Sequence, residues 1–170
     1  KSGMLMIDQH RAHVRILFEQ FLNEIEHHHA PSQQLLFPET LEMSHDDAIF
    51  LEQINDELTA LGFRIEQTED HLFNISGIPS EFENENIKTI LHDLIEKAKT
   101  TSMSTTEAIH EMIAQSLAEA SALKNGQSLT NEEMIDLIDR LFACSSPNRT
   151  PDGKLITAIL SLDEIQSRFR

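Results

Sequence analysis

A carboxylate, an amide and two imidazoles lie close together near the start of the chain, in the stretch MIDQHRAH at residues 6–13. Asp8, His10 and His13 are of the types that bind divalent metal ions, and a metal site needs three to six such ligands in one place. Asp8 and His10 follow a short apolar run, and His13 lies about one helical turn after His10. The simpler interpretation is that Asp8 caps a helix and His10 is a hydrogen-bonded core residue.

The other candidate side chains for chemistry have simple structural interpretations. His27, His28 and His29 form a run at a predicted helix end, where histidine suits the helix dipole, so we expect a solvated terminus rather than a metal tract. Cys144 is the single cysteine, which excludes an intrachain disulfide and a zinc cluster of several cysteines. It follows an apolar helix face, which favours a small core residue over a nucleophile.

The chain is strongly acidic, with 29 Asp and Glu against 13 Lys and Arg, a net charge of -16 and a pI near 4.8. Proteins draw most of their affinity for nucleic acid from basic side chains that release phosphate counterions. The basic residues do not cluster in the sequence. We therefore expect this chain to bind DNA only weakly, with another part of the protein or a partner holding the DNA.

The same sequence predicts a cytoplasmic protein with no membrane partner. No apolar run approaches the ~20 residues that span a bilayer, and the first ten residues lack the layout of a signal peptide. Because the chain starts almost inside a predicted strand, we expect it to be a piece of a longer protein.

The hydrophobic pattern predicts a mixed α/β arrangement of the α+β class. Met4–Ile7 and the almost continuously apolar Leu155–Leu160 predict buried strands at the two chain ends, and these could share one sheet. Pro38 makes the extended stretch at 33–41 an edge strand or a loop, since proline donates no ladder hydrogen bond. The first part of the chain also predicts a helix with apolar positions from 14 to 25, a helix at 44–61 and a hairpin at 63–75. Three helices follow, the first with apolar positions from 87 to 95 and the other two opened by capping sequences at 104–107 and 130–133. A last helix is capped by SLDE at 161–164.

Several stretches together resemble one family. IDQHRAHVRILFE is similar to the DQHA region of the C-terminal domain of MutL mismatch repair proteins. QQLLFPETL, ELTALGFRIEQ, FNISGIPSEF, SLTNEEMIDLIDRLFACSSPNRTPDGK and LSLDEI are similar to the later segments of that domain, in the same order and spacing. The resemblance runs from Met4 to Phe169.

The resemblance implies a homodimerisation domain of two lobes. The dimerisation lobe would comprise residues 1–31 and 121–170, and an outer, regulatory lobe would comprise residues 32–120. In the family an additional strand precedes the MLMIDQH strand, and the ATPase domain lies N-terminal to the whole domain. A MutS-type mismatch sensor would be reached through the full-length protein, and no cofactor is expected in this domain.

Many family members are endonucleases, and the resemblance also implies which ligands this chain lacks. The first motif keeps Asp8 and His10, but Val14 stands at the first glutamate position. In the second segment, AEASALK, Glu119 and Ala120 stand where the family offers Cys and a polar or basic residue. In the third, TPDGKL, Thr150 and Asp152 stand where Cys and His would bind metal. The chain thus resembles a nuclease-deficient MutL, with Asp8 and His10 as a degenerate remnant, no catalytic residues and no enzymatic activity.

Two alternatives remain open from the sequence. A divergent metal-dependent endonuclease could use Asp8, His10, Glu119 and Asp152. An unrelated acidic scaffold with coincidental motifs is the other. The absence of a thiolate or imidazole ligand outside the first motif argues against the nuclease.

The apolar chain ends predict an isologous homodimer. Because Met4–Ile7 and Leu155–Leu160 need cover on both faces, we expect the interface to use the first helix and the last strand and helix. The candidate contacts are Leu17, Phe21, Ile156 and Phe169.

The stretch QQLLFP is similar to the motif with which MutL proteins bind the DNA polymerase sliding clamp. The implied contacts are Gln33, Leu36, Phe37 and Pro38, with the apolar pair entering a hydrophobic pocket and Gln33 at its rim. The alternative is an edge strand whose leucines face the core. Alternation cannot turn Leu35, Leu36 and Phe37 all inward, so at least one should point outward.

Overall fold

The computed structural model describes residues 3–27, 30–100 and 105–169, so His28, His29 and Ser104 of the predicted motifs lie outside the described residues. The α+β class is confirmed. The elements are β1 (Gly3–Ile7), α1 (Gln9–His27), β2 (Gln33–Glu42), α2 (His45–Gln53), α3 (Asn55–Ala60), β3 (Arg64–Glu69), β4 (Leu72–Ile78), α4 (Ile87–Thr100), α5 (Thr106–Ser121), α6 (Asn131–Ala143), β5 (Thr157–Ser161) and α7 (Leu162–Ser167).

The chain forms two compact units. Unit 1 comprises residues 1–19 and 122–170, and unit 2 comprises residues 20–121. The first division falls within α1, between Glu19 and Gln20, whereas the predicted lobes divide at 31/32 and 120/121. The assignment of dimerisation to one part and regulation to the other stays a prediction.

Unit 1 brings the two chain ends into one sheet, as predicted. β1 and β5 pair antiparallel, from Gly3 opposite Ser161 to Ile7 opposite Thr157. The unit's core consists of apolar side chains from α1, from α6 and from the residue before β5. The predicted capping box of α6 is confirmed, since Glu133 N donates to Thr130 Oγ1 at 3.3 Å and Thr130 N donates to the Glu133 carboxylate at 2.7 Å.

Unit 2 has a three-stranded antiparallel sheet in the order β2-β4-β3. β2 is therefore an edge strand of this sheet, as Pro38 predicts, and β3 and β4 form the predicted hairpin. The predicted helix at 44–61 is divided at Ile54, which has φ -103° and ψ 9°. Its apolar stripe persists through the break, because Leu51, Ile54, Leu58 and Leu61 are all buried.

No helix within the described residues is long and apolar enough to cross a membrane.

Candidate functional site

Asp8 lies at the junction of β1 and α1, and its carboxylate bonds to neighbouring groups of the fold. Its Oδ1 accepts a hydrogen bond from Arg11 N at 3.0 Å, which satisfies a free N–H of the first helical turn. Its Oδ2 lies 3.3 Å from Arg11 Nε, and the guanidinium also donates to Leu155 O at 2.7 Å. The backbone N of Asp8 donates to Ile156 O at 2.9 Å. These contacts give the carboxylate a capping role between the two chain ends of unit 1.

The two histidines of the first motif both form hydrogen bonds with the backbone of Leu123 in unit 1. His10 Nδ1 lies 2.7 Å from Leu123 O, and because a carbonyl accepts only, this nitrogen carries the hydrogen. His13 Nδ1 accepts a hydrogen bond from Leu123 N at 3.0 Å. Both backbone groups of Leu123 are therefore satisfied by α1, and both Nδ1 atoms are engaged in holding the chain after α5.

Asp152 lies in a tight loop of unit 1. Lys154 Nζ lies 2.7 Å from its Oδ2, and the hydroxyl of the buried Thr150 donates to its Oδ1. The hydrogen bonds from Lys154 and then Thr150 hold the pKa of the Asp152 carboxyl below its ordinary value. Thr150 Oγ1 also accepts from Lys154 N at 2.9 Å. Both side chains thus close the loop that resembles the family's third metal-binding segment.

The four residues of the alternative endonuclease are distributed over both units. Asp8, His10 and Asp152 belong to unit 1, and Glu119 belongs to unit 2, where it accepts from Lys97 Nζ at 2.8 Å. Across residues 3–27, 30–100 and 105–169, no group of three or more His, Cys, Asp and Glu side chains is arranged to hold a metal ion.

The sheet of β1 and β5 is a strongly apolar surface of unit 1. The register places Leu5 opposite Ile159 on one face, and alternation places Met4 and Met6 on the other. Ile159 is 76% exposed, and the other three side chains are about half exposed. β1 and β5 are strands as predicted, but the prediction that they are buried is wrong within one chain, because both faces of the sheet are open.

The four predicted interface residues differ in accessibility. Phe169 is 87% exposed, whereas Leu17, Phe21 and Ile156 are each at most 2% exposed. Helical and strand periodicity identified them as core-facing, and their own chain already covers them: Ile156 packs in the core of unit 1, and the Phe21 ring stacks on Phe82 in unit 2 at 6.1 Å between centroids. A side chain that is already buried gains no further burial on dimerisation, so direct contact at these three positions has no physical support. Their interface role stays a prediction.

The segment QQLLFP starts in the ladder between β2 and β4 and leaves it after Gln34. Gln34 pairs with Gly77 and Glu39 pairs with Ile75, so residues 35–38 form a bulge opposite Ser76 alone. Leu36 is 94% exposed and Phe37 is 84% exposed. The expectation that at least one of these apolar residues points outward is confirmed, and two adjacent ones do.

The net negative charge of the chain is confined to one unit. Residues 20–121 contain 20 acidic and 4 basic side chains, while the rest of the chain contains nine of each. Three of the basic residues of unit 2 form ion pairs within it: Lys88 with Glu39, Lys97 with Glu119 and Lys99 with Asp47. The fourth, Arg64, donates to backbone carbonyls. The whole net charge of -16 therefore belongs to unit 2.

The family profile described as the MutL C terminal dimerisation domain matches residues 1–129. The chain belongs to this family. It is 42% identical over 170 residues to the DNA mismatch repair protein MutL of Parabacteroides distasonis, and 40% identical over 174 residues to that of Bacteroides fragilis; each comparison covers 100% of this chain. MutL of Flavobacterium psychrophilum is 36% identical over 169 residues, or 99% of the chain.

The chain spans 28%, 27% and 28% of the length of these three MutL proteins.

Sequence reasoning missed one apolar surface of this MutL domain. The pattern of α6 predicts a single apolar face, but only Leu137 and Leu141 of its large apolar side chains are buried. A second set is exposed, and the signal for it was the width of the apolar arc, which is too broad for contact with one neighbouring element. This outer α6 stripe consists of Met134, Ile135, Ile138 and Phe142.

Proposed function

We propose that this chain is the homodimerisation module of a MutL-type mismatch repair protein and that two copies meet through unit 1. The main observation in support of this proposal is the location of the exposed apolar side chains. Among the described residues 14 large hydrophobic side chains are exposed, and 11 of them belong to unit 1, the smaller unit. Apolar surface concentrated in this way is typical of protein interfaces.

The sheet of β1 and β5 gives the proposed contact its shape. A two-stranded sheet is marginally stable by itself, and both faces of this one are apolar. An isologous contact across Leu5 and Ile159, with Phe169 at its edge, covers one face in both copies. Ile156, which precedes β5 and packs in the core of unit 1, then supports this surface from inside.

The oligomeric state tests this function directly. Light scattering at tens of micromolar should give a mass of twice 19.4 kDa. A mass of 19.4 kDa at that concentration would refute the proposal.

A second function is proposed for the bulge of β2: docking to the sliding clamp through Gln33, Leu36, Phe37 and Pro38. The supporting observation is that Leu36 and Phe37 are both exposed and lie outside the ladder. An extended segment with two apolar side chains fits a hydrophobic pocket, and Pro38 lowers the entropy lost when the segment binds.

Cross-linking to the clamp in the presence of DNA tests the bulge. The double substitution Gln33→Ala and Leu36→Ala should abolish the cross-link while the dimer mass is unchanged. Ile49→Ala is the matched control, because Ile49 is an exposed apolar residue of unit 2 outside the bulge. Cross-linking of the double variant at the parental level would show that the segment is only an edge strand.

We further propose that this domain has no metal-dependent nuclease activity. Val14, Ala120 and Thr150 stand at positions where the resemblance implies ligands. Asp8 forms an ion pair with Arg11, and Asp152 forms one with Lys154. Supercoiled plasmid with manganese and the clamp should stay unnicked. Nicking that disappears in Asp8→Asn would support the alternative endonuclease built on Asp8, His10, Glu119 and Asp152.

The remaining partners belong to the whole protein. We propose that ATPase arms and a MutS-type sensor are linked to this dimer through the full-length chain, in the cytoplasm. DNA would be held elsewhere, because unit 2 carries the entire net charge of -16 and its basic side chains are already bonded.

A further inference from the structure

The exposed turn at residues 124–127 contains an Asn-Gly pair. Of the five glycines in the chain, only Gly126 and Gly153 follow Asn or Asp, and their neighbours are Asn125 and Asp152. In such a pair the backbone nitrogen of the glycine can attack the side-chain carbonyl carbon of the residue before it, because glycine has no Cβ that hinders the approach. The product is a cyclic imide, a succinimide. The two pairs allow a comparison within one chain.

The attacking nitrogen is hydrogen-bonded in one pair and not in the other. Gly126 and Gly153 have similar backbone conformations, with φ of +82° and +85°, and neither has an atom within 4 Å of an added Cβ. Both residues are exposed. The Gly153 nitrogen donates to Thr150 O at 2.9 Å. The Gly126 nitrogen forms no hydrogen bond within the described residues, so nothing in this part of the chain restrains its attack.

The two side chains under attack differ in the same way. Lys154 Nζ and Thr150 Oγ1 both bond to the Asp152 carboxylate, and these bonds hold its pKa below the ordinary value. An ionised carboxylate is a poor electrophile, because its negative charge repels a nucleophile. The Asn125 side chain is an exposed, uncharged amide without a hydrogen-bond partner among the described residues. Its carbonyl carbon is therefore open to attack.

We propose that Asn125 is a site of spontaneous deamidation, independent of the function proposed above. The Gly126 nitrogen forms a bond to Asn125 Cγ, the bond from Cγ to the amide nitrogen breaks, and the glycine N–H proton leaves with that nitrogen as ammonia. Water then opens the succinimide at either carbonyl. Cleavage between Cγ and the ring nitrogen gives aspartate. Cleavage at the backbone carbonyl gives isoaspartate, in which the main chain runs through Cγ.

Isoaspartate would alter a segment that α1 holds at two points. On one side of the turn Leu123 is bonded to His10 and His13, and on the other Gln127 O accepts from Gln9 Nε2 at 2.7 Å. The hydrogen bond from the Gln127 nitrogen closes the turn between these points at 3.1 Å. Isoaspartate lengthens the main chain by a carbon atom between the two points, so we expect this turn bond to be lost.

Peptide mapping by mass spectrometry after incubation of the folded chain in mildly alkaline buffer tests the site. Asn125 should be lost in a single exponential phase, and an isoaspartyl methyltransferase should label the product. Asn125→Gln is the matched control, because it keeps the amide but would have to form a larger ring, and it should remove the label. Loss of Asn125 in a urea-unfolded chain but not in the folded chain would overturn the proposal, since the turn would then protect the residue.

Asp152 is the internal comparison, followed at mildly acidic pH where succinimide formation from aspartate is favoured. It should isomerise in the unfolded chain and stay intact in the folded one. Equal isomerisation in both states would show that the hydrogen bonds do not decide reactivity, against the proposal.

Hydrogen exchange tests the altered turn. The Gln127 amide should exchange faster in the deamidated chain than in Asn125→Asp, which adds the charge without the extra carbon atom. Equal exchange in the two would refute the loss of the turn bond.

Discussion

Ile159→Ala should weaken the dimer strongly without unfolding the protomer. Ile159 lies at the centre of the proposed sheet contact and is 76% exposed in one chain. Its side chain therefore contributes little to the core of unit 1. On dimerisation it would lose most of its contact with water, and the two-fold repeats the effect in both copies.

The size of the effect follows from the exposed fraction. Isoleucine exceeds alanine by three carbon groups, each worth about 0.8 kcal/mol when fully buried. Three quarters of that sum is about 1.8 kcal/mol for each copy, so complete cover by the partner gives about 3.5 kcal/mol for the dimer. The dissociation constant should rise roughly 300-fold.

Sedimentation equilibrium over a range of concentrations measures this change, and circular dichroism checks that the protomer stays folded. Ile49→Ala makes the same chemical change at an exposed position in unit 2 and should leave the dissociation constant unchanged. A dissociation constant for Ile159→Ala within a factor of three of the parent's would refute the sheet contact, since burial of even about a fifth of the side chain in both copies would exceed that.

Two predictions concern the folded protomer. Gly62→Ala should destabilise it by more than about 2 kcal/mol in chemical denaturation, because a Cβ there would lie 2.5 Å from Pro31 O at a φ of +95°. Gly126→Ala, with a φ of +82° and no atom within 4 Å of the new Cβ, should lower stability by only about 1 kcal/mol, and equal losses would contradict the clash. Asp152→Asn should lower stability at neutral pH, because hydrogen bonds from Lys154 and Thr150 depress the pKa of Asp152. The depressed pKa stabilises the fold above the unfolded value of about 3.9, and this stability is lost as the pH falls through the folded pKa. The difference in the free energy of unfolding between parent and variant should therefore disappear in acid. A difference that does not depend on pH would contradict this account.

The order of the elements and their ends could be predicted because these depend on local residues. Thr130 with Glu133 and Ser161 with Glu164 are capping boxes in the sequence and in the structure. Pro38 identified an edge strand because it has no N–H to donate. The division of the predicted helix at Ile54 has no comparable signal, since the buried stripe runs through it unchanged.

Burial was harder to predict because periodicity does not show which element covers an apolar face. Leu17 and Phe21 recur at helical spacing, and this pattern is the same whether the cover comes from the same chain or from a partner. The structure assigns their cover to the same chain. Strands β1 and β5 show the reverse case: their apolar runs are typical of buried strands, but the described chain leaves them open.

The separation of charge and apolar surface supports a division of work between the units. Unit 1 has as many basic as acidic residues and 11 exposed large hydrophobic side chains, so two copies can approach without net repulsion and bury apolar surface. Unit 2 carries all of the net negative charge, and its proposed contact with the clamp is apolar and extends from an edge strand. Insertion of Leu36 and Phe37 into a pocket needs no phosphate contact, whereas direct binding of DNA by this unit would require unpaired cations. The proposed clamp contact would therefore bring this acidic unit to DNA through another protein, rather than by contact of its own.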